Sequence, residues 1–294
     1  MLQVARRPGA LAGLFAIVVS AGVAGGVAGA LAGPAVPAAA SVPGIEMVVR
    51  MSAVTSSDKT VTATCPKGKE VIDAGGQVVY GHGKVIMDDV FPDPGQKFVN
   101  VTGLETDDFD GYWAVVAYAI CANPLPGVEW IKAHTLSDTS STKTLTIECS
   151  PGKTVLGNGY AITGGNGEAW VDEAVPNGGP DAAATKVSLQ GVEGDSYDGD
   201  WDLEGFLICA DPLPGQRVLS ASNTTSTNGE PVYAYCGGPE QTATGSTAKL
   251  HNGTGTVVLA EDFVEWGTAI AQGEVNDGPD EDWWLTTYTF CADV

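Results

Sequence analysis

Acidic residues recur at matching positions along this chain and are its most evident candidates for chemistry. Each of three similar segments carries an acidic pair and, later, two aspartates ahead of a tryptophan. They are Asp88, Asp89, Asp107 and Asp110, then Asp172, Glu173, Asp195 and Asp198, then Glu261, Asp262, Asp277 and Asp280. Calcium takes six to eight oxygen ligands, so such loops are candidate calcium sites. The i, i+3 spacing differs from a helix-loop-helix calcium loop, and Asp-Gly segments are also typical of turns. We expect no other cofactor.

The same carboxylates could in principle hydrolyse glycosidic bonds, since glycosidases use two acids that flank the scissile bond. Asp88 and Asp89 would then have to converge with Asp107 and Asp110. Repetition of the acids in all three segments argues against this, because an active site is rarely kept in three copies. No nucleophile elbow, phosphate loop or dinucleotide fingerprint occurs. The histidines occupy unmatched positions, namely His82, His134 and His251. We therefore expect a protein that is not an enzyme.

Cysteine spacing shows that the three segments are copies of one repeat. The first cysteine of each copy lies 84 or 87 residues after the previous one, at 65, 149 and 236. The second lies 56, 60 or 55 residues later, at 121, 209 and 291. Three copies at nearly constant spacing indicate an internal repeat. The predicted repeats are residues 41–126, 127–214 and 215–294, with Pro-Leu-Pro-Gly linkers at the two boundaries between them.

The N-terminal segment indicates export. Arg6 and Arg7 precede an apolar run from Ala10 to Gly33 and a stretch rich in alanine and proline, which together predict a signal peptide over residues 1–40. The alternative is an uncleaved membrane anchor, because the run is long enough to span a bilayer. Either interpretation places the repeats outside the cytosol, where disulfides persist. We expect a secreted, extracellular protein that touches a membrane only if this segment is retained.

Charge excludes some partners. Without Arg6 and Arg7 the chain has 12 basic and 36 acidic residues. So negative a surface repels nucleic acid, and we expect no nucleic-acid partner. A glycan or a cell-surface protein remains as the expected kind of partner, with its identity unknown.

Alternating side chains predict an all-β fold. In the strand that enters the last cysteine of the first copy, Trp113, Val115, Ala117, Ala119 and Cys121 share one face, and the other copies keep the same phase. About six short strands per copy are typical of a small sandwich. Other strands are predicted from Glu46 to Ala53, Val71 to Tyr80, Lys84 to Asp88 and Phe98 to Thr102, with turns at Gly75-Gly76, at residues 81–83 and at 92–95.

Two arrangements of the repeats remain open. In the first, favoured here, each copy is an independent β-sandwich closed by its own disulfide, so that the protein is three tandem sandwich-like repeats. In the second, the copies form one pseudo-threefold β-prism, which would also tolerate pairing of cysteines from neighbouring copies. A disulfide that closes a loop of 56 residues stabilises a small domain by about 4 kcal/mol in the chain-entropy model. We therefore expect the six cysteines to be structural.

Tryptophan positions divide into core and surface candidates. Trp113, Trp201 and Trp283 lie on the cysteine face and are expected in the core, as is Trp170. Trp284 lies on the opposite face, and Trp266 has no counterpart in the other copies. We expect these two to be the surface aromatics available to a ligand such as a sugar ring.

The motifs resemble those of a known kind of protein. The pattern Cys-Pro-x-Gly-Lys at Cys65 to Lys69, followed by Ala-Ile-Cys-Ala at Ala119 to Ala122, is similar to a module of uncharacterised secreted bacterial proteins with three repeats. Threefold repetition with Cys-Pro-x-Gly also resembles the vitelline membrane outer layer protein family, which implies a β-prism. Neither resemblance implies an activity. The expected function is an acidic, exported, non-enzymatic structural or binding module, with carbohydrate binding or processing as the alternative.

Overall fold

Strands make up all the regular secondary structure of the described residues. The computed structural model describes residues 42–106, 109–194, 197–224, 229–253, 255–276 and 282–294. The first repeat contains β1 (Glu46–Met51), β2 (Lys59–Thr64), β3 (Glu70–Val79), β4 (Val85–Pro92), β5 (Phe98–Glu105) and β6 (Ala114–Ala122). The second contains β7 (Glu129–His134), β8 (Thr142–Glu148), β9 (Thr154–Thr163), β10 (Ala169–Pro176), β11 (Lys186–Glu193) and β12 (Asp202–Ala210). The third contains β13 (Arg217–Ser222), β14 (Val232–Tyr235), β15 (Gln241–His251), β16 (Val257–Glu265), β17 (Thr268–Val275) and β18 (Trp284–Asp293).

Each of the three sheets is built from two repeats. The strand orders are β1-β6-β3-β16-β17-β14, β2-β5-β4-β9-β12-β7 and β13-β18-β15-β10-β11-β8. The first repeat therefore shares one sheet with the third and another with the second, and the second and third share the last. This cyclic sharing is consistent with a threefold arrangement, and it joins the repeats into one compact unit.

Each repeat is at the same time a sandwich of two layers. In the first repeat, β1, β6 and β3 pack against β2, β5 and β4. Trp113 lies between the layers and is fully buried. Its ring rests on Gly103 of β5, where a Cβ would lie 2.7 Å from the ring. Gly191 under Trp201 and Gly273 under Trp283 repeat this contact. The predicted all-β class with three disulfide-closed, sandwich-like repeats is confirmed. The prediction that the three sandwiches are independent was wrong, because each sheet continues from one repeat into another.

The disulfides join the two layers within each repeat. They are Cys65–Cys121, Cys149–Cys209 and Cys236–Cys291, with Cα–Cα distances of 5.8, 5.9 and 5.7 Å. The first cysteine of each pair directly follows β2, β8 or β14, and the second lies near the end of β6, β12 or β18. Pairing within the copies is thus confirmed, and it coexists with sheets that continue between the copies.

The Gly-Lys part of the cysteine motif binds the linker of its own repeat. Lys69 Nζ donates to the carbonyl oxygen of Gly44 at 2.6 Å, and Lys153 Nζ donates to that of Gly127. In the third repeat Gln241 Nε2 donates to Gly215 at 3.1 Å. These three glycines have φ of about +65°, a conformation that favours glycine. The motif lysine in the first two repeats, and Gln241 in the third, therefore anchors the start of its repeat beside the disulfide.

The central strands β3, β9 and β15 meet where the three repeats adjoin, in what we call the central junction. Asp73 of β3 fills this space, and the corresponding positions of β9 and β15 are Gly157 and Gly245. A Cβ at Gly157 would lie 2.3 Å from the carbonyl oxygen of Ile72, and one at Gly245 would lie 2.6 Å from that of Leu156. A Cβ at Gly157 or Gly245 would therefore require the neighbouring backbone to shift, and Asp73 is the residue that carries a side chain here.

A second cluster joins the repeats through β4, β10 and β16. Ile86, Trp170 and Val258 pack together there with Val192, and all four are at most 1% exposed. Trp170 Nε1 donates to the carbonyl oxygen of Val257 at 3.0 Å. The predicted burial of Trp170 is confirmed, and its ring joins the second repeat to the other two.

The bounds of several strands and one turn differ from the sequence predictions. The strand predicted from Glu46 to Ala53 ends at Met51, and the one predicted from Phe98 to Thr102 continues to Glu105. The strand predicted from Lys84 to Asp88 continues to Pro92 as β4, across a bulge at Asp88. The turn predicted at Gly75-Gly76 was wrong, because both glycines lie in the middle of β3. A Cβ at Gly75 would lie 2.6 Å from Cβ of Phe263 in the neighbouring strand β16. These glycines permit close strand packing between the first and third repeats.

Candidate ligand-binding site

An exposed tryptophan occupies the tip of the β16–β17 hairpin. Trp266 and Gly267 form the two-residue turn between the paired residues Glu265 and Thr268. Their φ angles of 49° and 75° are both positive, as a type I′ turn requires. Trp266 is 88% exposed. A bulky residue with positive φ is unusual, and asparagine or glycine is the residue this turn favours.

Beside this tryptophan lies a groove between the third and first repeats, which we call the Trp266 groove. Its volume is about 360 Å³. The lining residues are mostly apolar: Ile45, Glu46, Met47, Ile120, Thr242, Ala243, Val264, Trp266 and Gly267. Glu46 is the one acidic residue among them, and it is paired with Lys69 at 2.7 Å. Apolar walls with few polar groups are typical of ligand-binding clefts of this size.

The groove exists because the third repeat has a shorter hairpin than the others. Residues 93–97 and 177–185 form longer turns at the corresponding places in the first two repeats. Carbonyl oxygens of those turns accept hydrogen bonds from two backbone amides, that of the first cysteine and that of a residue at the start of the following strand. In the first repeat the amides of Cys65 and Val71 donate to Lys97 and Gln96. In the second repeat the amides of Cys149 and Val155 donate to Thr185 and Ala184. In the described part of the third repeat, no backbone hydrogen bond joins the Trp266 turn to Cys236 or Ala243. The third disulfide is covered less as a result: Cys236 is half-buried, whereas Cys65 and Cys149 are buried.

Two tyrosines extend the exposed aromatic surface towards the sheet edge. Tyr233 and Tyr235 lie on the edge strand β14 and are 43% and 62% exposed. Their rings are 6.4 Å apart and nearly parallel. Tyr235 pairs with Thr268, two residues from Trp266. The sequence analysis missed these tyrosines, although corresponding strands of the other repeats carry threonine or glutamate there.

Trp284, the other predicted surface aromatic, is half-buried. Its ring stacks on His251 with centroids 4.6 Å apart, so one face is already covered. His251 also lies 3.0 Å from the hydroxyl of Thr286. Trp284 is therefore less suited than Trp266 to stack on a ligand.

The repeated tryptophans Trp113, Trp201 and Trp283 lie in the core, as predicted, and are at most 2% exposed. Trp113 Nε1 donates to Glu105 at 2.5 Å, and Trp201 Nε1 donates to Glu193 at 3.1 Å. Lys59 Nζ lies 3.3 Å from the centre of the Trp113 ring, a favourable cation–π distance. These residues belong to the scaffold.

The acidic pairs of the first two repeats are placed by a β-bulge. Asp88 and Asp172 occupy the bulge and are 7% and 1% exposed. Burial raises the pKa of Asp88 to about 8, with a further contribution from the charge of Asp89. Burial likewise raises the pKa of Asp172 to about 7, although Gln190 donates a hydrogen bond that opposes the shift.

The acidic pair of the third repeat is shifted by one residue. The bulge position there is Ala260, and Glu261 corresponds to Asp89 and Glu173. Glu261 accepts a hydrogen bond from Gln77 at 2.5 Å, and Glu173 pairs with Lys249 at 2.9 Å. Burial raises the pKa of Asp262 to about 7. The three pairs therefore have different partners and do not form three equal sites.

The remaining predicted acids are not brought together with the pairs in the described structure. Asp110 and Asp198 are exposed. Asp107, Asp195, Asp277 and Asp280 lie outside the described residues. Within the described ranges there is no group of three acidic, histidine or cysteine side chains that could hold a metal ion. Calcium binding by these loops stays a prediction, and a melting temperature that EDTA leaves unchanged would reject it.

A buried carboxyl group that the sequence analysis missed lies at the central junction. Asp73 is fully buried, and its carboxylate accepts from the backbone amides of Asn158 at 3.1 Å and Ser246 at 3.3 Å. Burial raises the pKa of Asp73 well above its ordinary value, although these amide donors oppose the shift. The one available signal was an aspartate within the run of apolar and glycine residues from Val71 to Gly76. Its contacts are to backbone of the other two repeats, so its role is to join them.

The described part of the chain has no helix that could cross a membrane. Its three disulfides are typical of extracellular proteins. In comparisons with known proteins, no family model matches this chain and no curated protein is similar to it.

Proposed function

We propose that this protein is an exported, acidic, non-enzymatic binding module that contacts its ligand through Trp266 and the adjoining groove. The observation that carries the proposal is the exposed tryptophan in a left-handed turn conformation. This residue costs stability where asparagine would be favourable, and its ring makes little contact with the protein. Binding sites are where proteins retain such unfavourable choices.

Binding fits the groove better than catalysis does. A hydrolytic site of the glycosidase type needs two carboxyl groups near the bond to be cleaved. Among the lining residues Glu46 is the one carboxylate, and Lys69 neutralises it. The strongly shifted acids Asp88 and Asp172 are buried, and neither lines the groove.

The ligand class that the geometry favours is carbohydrate. A sugar ring presents an apolar face of C–H groups that stacks on an exposed indole. The groove volume of about 360 Å³ suits one or two sugar rings. Tyr235 and Tyr233 continue the aromatic surface from the turn, so a chain of several sugars could make more than one stacking contact. Export of the protein by the predicted signal peptide would give it access to cell-surface glycans.

The test is a glycan array probed with the wild-type protein and two variants. We expect bound glycans to be lost with Trp266→Asn, which removes the ring and keeps a residue suited to the turn. Trp284→Ala is the matched control and should keep binding, because the Trp284 ring is already covered by His251. Absence of any bound glycan would refute the ligand class. Loss with Trp284→Ala alone would refute the groove as the site. Cleavage of a polysaccharide panel by the wild-type protein would refute the non-enzymatic proposal.

A further inference from the structure

Arg217 occupies a position where the other two repeats carry glutamate. Arg217 pairs with Cys291 in the ladder between β13 and β18. The residues that pair with the matching cysteines, Cys121 and Cys209, are Glu46 and Glu129. The third repeat has thus reversed the charge at this position. Arg217 and Arg50 are the only arginines that follow the predicted signal peptide.

The ion pair that this position forms in the first repeat is also lost in the third. Glu46 forms an ion pair with Lys69 at 2.7 Å in the first repeat. Gln241 takes the place of that lysine in the third repeat, since it bonds to the linker glycine in the same way. Arg217 Nη2 donates to Gln241 Oε1 at 2.5 Å. The ion pair of the first repeat is therefore replaced by an arginine beside a neutral amide.

Most of the guanidinium's donors remain without a protein acceptor. Arginine has five N–H donors, and the bond to Gln241 uses one of them in the described structure. Nε is buried and has no partner. No carboxylate of the described residues lies within 4.0 Å of Arg217 to form an ion pair. A half-buried cation without a counter-charge is unfavourable, most of all in a chain of net charge −22 that offers many carboxylates.

Arg217 lines an open hollow between the second and third repeats. Its volume is about 420 Å³. Its other lining residues are Pro180, Asp181, Gly215, Gln216, Gly237, Gly238 and Gln241. A Cβ at Gly237 would lie 3.0 Å from Arg217 Nη2, so glycine there keeps side-chain atoms away from this nitrogen. The amide of Val218 donates to the carbonyl oxygen of Gly179 at 3.0 Å and holds the loop of the second repeat against the hollow.

We propose that this hollow binds a carboxylate group of a ligand, with the Arg217 guanidinium as its partner. The planar fork of arginine matches the two oxygens of a carboxylate. One arginine neutralises a single negative charge. A doubly charged phosphate would keep an excess charge against a protein of net charge −22 and beside Asp181, so a monoanion is favoured. The site is separate from the Trp266 groove, which shares no lining residue with it.

The experiment is calorimetric titration of the full-length exported protein with glucuronate, and with glucose as the uncharged counterpart. We expect glucuronate to bind and glucose not to bind at this site. Arg217→Gln should weaken glucuronate binding at least about tenfold, because a hydrogen-bonded charge pair is lost. Arg50→Gln is the matched control, since Arg50 is exposed and, among the described residues, its guanidinium donates to the neighbouring Val49 carbonyl oxygen alone.

Two further measurements separate this proposal from its rivals. Asp181→Asn removes the one carboxylate among the described residues that line the hollow, and we expect it to strengthen glucuronate binding without altering the fold. Trp266→Asn should leave glucuronate binding unchanged, so this site and the Trp266 groove can fail independently. Equal weakening by Arg217→Gln and Arg50→Gln, or absence of binding by the wild-type protein, would overturn the proposal. Tighter binding of inorganic phosphate than of glucuronate would overturn the assignment to carboxylate.

Discussion

Replacement of Trp266 by asparagine should remove ligand binding without a loss of stability. The tryptophan has φ of 49°, and the left-handed conformation costs an ordinary residue about 1–2 kcal/mol. Asparagine tolerates this conformation, and Asn-Gly is the most favourable pair for such a turn. The substitution therefore removes an unfavourable conformational term.

Removal of the tryptophan ring also loses a stabilising contribution, because part of the ring is covered by the protein. Trp266 is 88% exposed, so about an eighth of a tryptophan surface of about 250 Å² is covered, which is worth about 0.8 kcal/mol. The two terms leave the variant between about 0 and 1 kcal/mol more stable than the wild-type protein. For a chain of this size that range corresponds to a rise in melting temperature of at most about 4 °C.

The assay is thermal and urea unfolding of both proteins with the disulfides intact, alongside glycan binding. A melting temperature that is unchanged or slightly raised, together with lost binding, would show that the ring serves the ligand. A fall of more than about 4 °C would refute the reasoning, because the ring would then be stabilising the hairpin. Retained glycan binding would refute the role of Trp266 in recognition.

Three further predictions concern the scaffold. The pKa of Asp88 is about 8 in the folded protein and about 4 in the unfolded chain. Between about pH 4 and pH 8 the folded protein therefore binds one proton more than the unfolded chain. The free energy of unfolding should therefore fall as pH rises from about 4 to 8. Urea unfolding at several pH values should show a smaller fall for Asp88→Asn than for the wild-type protein. If both proteins show the same pH dependence, the prediction is wrong. Gly245→Ala places a Cβ 2.6 Å from the Leu156 carbonyl oxygen and should cost about 1–3 kcal/mol, whereas Gly238→Ala, where a Cβ meets no atom within 4 Å, should be nearly neutral. Trp170→Ala should cost about 3–5 kcal/mol in the same assay, and a cost below about 1 kcal/mol would show that the repeats do not depend on this cluster.

Local features of the fold were predictable because they depend on short-range rules. Strand alternation has a period of two, so the phase of Trp113 and Cys121 on one face follows directly from their spacing. The same rule placed Trp201 and Trp283 in the core. Pairing of cysteines within repeats agreed with their regular spacing, although neighbouring copies offered alternatives.

The candidate sites were only partly predictable. Trp266 was recognisable as an aromatic residue without a counterpart, but the groove beside it depends on the absence of a longer turn that covers the disulfide in the other repeats. Arg217 was not predicted, because only the strand pairing in the structure shows that it occupies the position of Glu46 and Glu129. In the sequence the third acidic pair lies two residues further from its first cysteine than the other two pairs do. Only the strand pairing showed that Ala260 occupies the bulge of β16, so that Glu261 corresponds to Asp89 and Glu173.

The sequence by itself determined the all-β class, the three repeats, the six cysteines, the burial of the repeated tryptophans and the exposure of Trp266. These depend on composition, spacing and side-chain alternation, which are local. Only the tertiary structure decided that each sheet is shared by two repeats and that Asp73 joins them at the centre, because contacts between distant strands have no local signature. It also decided which surfaces stay uncovered. The Trp266 groove and the Arg217 hollow both lie where the third repeat differs from the other two. Packing between the repeats leaves both surfaces exposed to solvent.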